Sequence, residues 1–201
     1  MLGLNTIHIT PEIMRQIGAI DQFKGYWQAL EKHTTGLNLL PSFAKHGQNV
    51  RLMMERLKDH PISSANIRMI YAGMVSEESS DAYKVSANTL DIVGAGQLET
   101  AAPEEVEVLL EKLLAWVNDA LDSQELHPLI VIAVFVGIFL QIAPFPSGNQ
   151  RLANIWAKIL LFKAGYAYAP YVFLDPLIAE RAQNFHDALA HNQESLNAGR
   201  P

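Results

Sequence analysis

Ala143-Pro-Phe-Pro-Ser-Gly-Asn-Gln-Arg-Leu-Ala-Asn154 joins two helical patterns of different kinds. Before it, Leu129–Leu140 reads Leu-Ile-Val-Ile-Ala-Val-Phe-Val-Gly-Ile-Phe-Leu, and a helix apolar on every face belongs in a core. After it, Leu152, Ile155, Trp156, Ile159 and Leu160 recur at helical spacing, which predicts an amphipathic helix over Asn149–Ala164 with Gly165 at its C-cap. In between, Ser147 and Gln150 fit a capping box, the serine accepting from an early backbone N–H and the glutamine reaching back to the serine's own N–H. Gly148 lets the backbone approach a ligand closely. Free N–H groups, the positive end of the helix dipole and Arg151 in the first turn favour an anion such as phosphate. The same residues equally describe an ordinary capped helix with a solvated arginine.

Working outward, Leu126-His127-Pro128 opens the apolar helix, which runs to Gln141. Twelve apolar residues followed by Gln141 and two prolines fall short of the ~20 that a membrane span needs, so a buried core helix is the reading. Pro103-Glu-Glu starts the preceding helix, with Val106, Leu109, Leu110, Leu113, Leu114 and Val117 on its apolar face. From Val75 to Pro103 the helical period vanishes around Thr89-Leu-Asp-Ile-Val93 and Gly94-Ala-Gly96, which predicts a surface loop or small β-flap. Further upstream, Thr10 and Pro11 start a helix that ends near Thr34-Thr35-Gly36. Pro41–Asp59 predicts a second, and Ser63-Ser64 cap a third through Met74. Asp175-Pro176 should cap a last helix reaching about Ser195. The fold class expected is all-α, one domain over 1–201: N-terminal helices (1–75), a flap region (about 76–102) and a helical core (about 103–195).

Composition narrows the function. Half the residues are apolar (49%) and few are charged (18%), so a chain of 201 residues can build a sizeable core. A net charge of −6 argues against a general nucleic-acid binder, which would carry a basic patch. With no cysteine, disulfides, thiolate metal sites and cysteine nucleophiles are excluded. No secretory leader or membrane span is expected, and the cytoplasm is the expected location. His186 and His191 are five apart on one predicted helix, not on a common face, so no metal site is expected there.

The quoted stretch also resembles the signature of Fic-domain (Fido-fold) AMP-transferases, His-x-Phe-x-(Asp/Glu)-Gly-Asn-Gly-Arg-x-x-Arg, with Phe145, Gly148, Asn149 and Arg151 in register. Leu126-His-Pro-Leu129 and Ala164-Gly-Tyr-Ala-Tyr-Ala-Pro-Tyr171 resemble the segments that flank that signature. Tyr83-Lys84, Asp91-Ile-Val-Gly94 and Ala101-Ala-Pro-Glu-Glu-Val106 resemble, more loosely, the flap that positions the target side chain. The resemblance implies a phosphate cradle at Ser147, Gly148, Asn149, Gln150, Arg151 and Asn154, and target docking at Asp91, Ile92, Val93 and Gly94. It implies ATP or another nucleotide as ligand and an unidentified protein as target or partner, with a homo-oligomer left open. Nucleic acid and membrane are not expected partners.

Four departures fall in the signature. Ala143 stands where the family has its histidine base, Ser147 at the acidic magnesium ligand, Gln150 at a glycine and Asn154 at the second arginine. A positioned general base contributes about 10²–10⁴-fold, and alanine has no titratable group. Ser147 offers magnesium no anionic oxygen. His127 cannot substitute, since sixteen residues of continuous helix put it about 24 Å from Ala143. The (Ser/Thr)-x-x-x-Glu-(Gly/Asn) inhibitory motif of many relatives has no counterpart. The expectation is therefore a protein inactive in AMP transfer that retains at most nucleotide or phosphate binding. Two alternatives stay open. One is an active nucleotidyltransferase, AMPylating a protein hydroxyl, whose chemistry differs or whose Ala143 was introduced in place of the histidine. The other is a purely structural interaction protein in which Gln150 occludes the anion site.

Overall fold

A computed structural model describes residues 9–33, 54–75, 82–92 and 96–198. Its described elements are α1 (Pro11–His33), α2 (Ser64–Met74), strands β1 (Thr89–Ile92) and β2 (Gly96–Glu99), then α3 (Val106–Ser123), α4 (Pro128–Ile142), α5 (Asn149–Lys163), α6 (Leu174–Glu180) and α7 (Ala182–Ala198). Most of the second expected helix lies outside the described residues; its end, 54–57, is helical. The fold is all-α, with one antiparallel hairpin among the described residues, Thr89 facing Glu99 and Ile92 facing Gly96.

The core is the layer where α4 packs between α3 and α5. Val131, Phe135, Phe139 and Leu140 of α4 are fully buried, as are Leu110, Leu113 and Val117 of α3 and Leu152 and Leu160 of α5. Burying one such side chain contributes about 1.5–3 kcal/mol, which explains how an apolar helix with no polar face is held in the middle. No helix among the described residues is long and apolar enough to cross a membrane.

Polar contacts attach the rest at defined points. Ser63 caps α2 by accepting from Asn66 N, and Asn118 of α3 exchanges two 2.9 Å hydrogen bonds with the backbone of Ile62. His127 caps α4 through Nδ1, which accepts from Leu129 N, while Nε2 lies 3.0 Å from Asp21 of α1. Tyr166 donates to the other Asp21 oxygen at 2.7 Å, and Lys24 donates to Ala164 O at 2.9 Å. Burial works against the Asp21 charge, yet these hydrogen bonds hold its carboxyl below the usual carboxylate range. Three segments far apart in sequence, around Asp21, His127 and Tyr166, thus meet at one joint.

Two expectations need correction. The last helix is two, α6 and α7, separated at Arg181, whose φ of −121° is not helical. Nor does Asp175 cap it: the helix starts at Leu174 behind Phe173 without a side-chain cap, because the Asp175 carboxylate is engaged elsewhere, accepting from Asn154.

Candidate functional site

The loop between α4 and α5 is fixed from within. Its Phe145 is fully buried and stacks on Tyr71 of α2, ring centroids 3.7 Å apart and planes 13° from parallel. Asn149, 6% exposed, closes the turn from the other end: its Oδ1 accepts from Phe145 N at 3.0 Å and its Nδ2 donates to Phe145 O at 2.7 Å. A single amide side chain therefore satisfies both polar groups of one buried residue.

That closure overturns the capping box. Gly148, not Ser147, is the N-cap residue, in the left-handed conformation (φ 73°, ψ 6°), and no side chain caps the first turn of α5. A capping serine needs an extended backbone at the cap position. Here the chain enters the helix through Gly148 one residue later, so Ser147 lies outside it, exposed. Glycine is required at 148 by its φ and not by crowding, since an added Cβ would come no closer than 3.8 Å to the Tyr71 ring.

The uncapped turn opens onto a cavity of about 640 Å³ lined by Ser147–Arg151, Asn88–Ile92 of the flap, and Asp175, Ile178, Ala179 and Ala182. Gln150 forms part of the wall. Arg151 is exposed and forms no ion pair among the described residues. Asp91 is exposed on β1, while the Ile92 side chain is buried in the core. Val93 and Gly94 lie outside the described residues. Asn154 is 3% exposed, does not line the cavity, and donates at 2.7 Å to Asp175, which does.

Ala143 sits apart. It is 1% exposed, ends α4 in the left-handed region (φ 42°, ψ 67°), and is not among the residues lining the cavity. Around it the carbonyls that a helix C-terminus leaves open are taken by the two stems of the flap. Ala101 N donates to Gln141 O, Lys84 N to Pro144 O and Lys84 Nζ to Ile142 O. Asn88 Nδ2 donates to Phe145 O.

Lys84 is the residue that sequence reasoning undervalued. It is 3% exposed, and its ammonium donates to Asn88 Oδ1 (2.8 Å), Thr100 Oγ1 (2.7 Å) and Ile142 O (3.0 Å), three acceptors for three protons. Burial among neutral partners pushes its pKa down to about 8. The partners lie 4, 16 and 58 residues away, so no local pattern signals the site. Among the described residues no group of three or more histidine, aspartate or glutamate side chains is arranged to hold a metal ion.

Residues 61–161 match the model of the Fic/DOC family. Among solved structures, a Fic family protein from Desulfovibrio desulfuricans superposes with a TM-score of 0.63 at 19% identity, over 94% of this chain and 68% of its own. A Fic-domain signalling protein from Bacteroides thetaiotaomicron gives 0.54 at 20% identity, over 74% and 55%. IbpAFic2 gives 0.50 at 18%, over 80% and 57%. This chain thus spans little more than half the length of two of the three. No curated protein sequence matches it.

Proposed function

The chain belongs to the Fic/DOC family, and from that premise we propose that it has lost AMP transfer and serves as a nucleotide- or protein-binding module. The observation that carries the reading is the contrast within the signature: an open, uncapped helix start with Gly148 and a free Arg151, beside a buried alanine at the position of the base. The first-turn amides and the guanidinium supply hydrogen bonds and positive charge to one phosphate. Neither they nor Ala143 can take a proton from a target hydroxyl. Calorimetry with ATP, ADP and AMP, with and without magnesium, tests binding; absence of heat at millimolar nucleotide removes it. A labelled-ATP assay on candidate protein targets tests inactivity, and robust transfer to a hydroxyl contradicts it.

The second reading is an active transferase of different chemistry. The carboxylates of Asp91 and Asp175 on the cavity wall favour it, because either could offer magnesium the anionic oxygen that Ser147 lacks. The same transfer assay, run with and without EDTA, separates the two.

A further inference from the structure

Among the described residues, the charges on the cavity wall besides Arg151 are the carboxylates Asp91 and Asp175. Asp175 is exposed but tethered. Its Oδ1 is held at 2.7 Å by the amide of Asn154, which is itself 3% exposed and therefore fixed in the body of α5. An amide donates a hydrogen bond but brings no positive charge to offset the carboxylate. At position 154 an arginine would cancel that charge or reach for phosphate with a bidentate fork. The asparagine instead positions an anion on the cavity wall.

Resting on the cradle reading above, we propose that Asp175, propped by Asn154, sets ligand specificity: the cavity accepts a single phosphate, as in a nucleoside monophosphate or similar phosphate ester, and disfavours a triphosphate. One phosphate is accommodated by the first-turn amides and Arg151. Each further phosphate adds negative charge to a cavity whose described wall already has one carboxylate in excess, and like-charge repulsion disfavours it.

Calorimetry on the full chain with AMP, ADP and ATP, with magnesium and with EDTA, tests this using the wild type, Asp175→Asn and Arg151→Ala. The wild type should bind AMP at least as tightly as ATP. Asp175→Asn should raise ATP affinity by up to about fivefold and AMP affinity less than twofold, and Arg151→Ala should weaken both. Raising salt should narrow the wild-type gap between ATP and AMP by screening, a readout that needs no substitution. If Asp175→Asn leaves the ATP-to-AMP ratio unchanged and salt does nothing, this specificity role is wrong and the cradle stands. Should Asp175→Asn lose ATP affinity only when magnesium is present, Asp175 is a metal ligand and the proposal is overturned. If no nucleotide binds the wild type, the cradle reading falls and takes this inference with it.

Discussion

The two helix ends on either side of the Ala143–Gly148 loop are treated in opposite ways. At the C-terminus of α4 the carbonyls of Gln141 and Ile142, and just past it those of Pro144 and Phe145 in the loop, receive donors from the flap stems. At the N-terminus of α5, no side chain caps the first turn. Stability alone would favour capping both ends, since a missing cap forgoes about 1 kcal/mol. The difference shows where the fold invests rigidity and where it keeps hydrogen-bonding capacity open. The closed end holds the flap and the buried Ala143; the open end faces the cavity.

The largest expected effect lies at the closed end. Lys84→Met leaves the acceptors of Ile142, Asn88 and Thr100 without their donor and should destabilise the protein by about 3 kcal/mol in urea unfolding. Titration gives the comparison a second axis. The Lys84 pKa is about 8 in the folded chain against an ordinary 10.5, so above pH 8 the unfolded state binds more protons. Stability should therefore rise with pH from about 8 toward 10, a limb that Lys84→Met flattens. Beyond the ordinary tyrosine value of 10.0 the sign turns. Burial, then the hydrogen bond to Asp21, hold the Tyr166 phenol well above that value, and stability gained that way is lost as pH climbs further.

Next comes the tie between the two ends. Asn149→Ala removes both hydrogen bonds to the buried Phe145 backbone and should cost about 2 kcal/mol, with nucleotide affinity falling because the cradle loses its register. A Phe145 amide that exchanges no faster in the variant would contradict this. Smaller still is Gly148→Ala, about 1 kcal/mol from forcing a Cβ into the left-handed region with no steric clash to add. If thermal unfolding shows a cost above about 3 kcal/mol, crowding and not φ governs that position.

How far the sequence could be read follows the range of the forces involved. The α4 and α5 helices were legible because an all-apolar run and a one-sided apolar stripe are local patterns, and α3 and the hairpin followed likewise. The capping box was misread because Ser147 and Gln150 have the right spacing, while the conformation at Gly148 is decided by Asn149 reaching back to Phe145. Asp175 looked like a cap for the same reason: its partner Asn154 is 21 residues away. The break at Arg181 and the burial of Lys84 depend on contacts that no short window contains. Retention of Gly148, Asn149 and Arg151 was visible at once; that the turn they form is uncapped was not.

We propose that the open end of α5 receives a phosphate although Ala143 offers no base. A crystal structure of the full chain grown with AMP tests it most directly. Density for the phosphate over the Gly148–Arg151 turn, within hydrogen-bonding distance of its amides and of the Arg151 guanidinium, is the predicted result. An unoccupied turn at saturating AMP, or a nucleotide bound elsewhere, would contradict it.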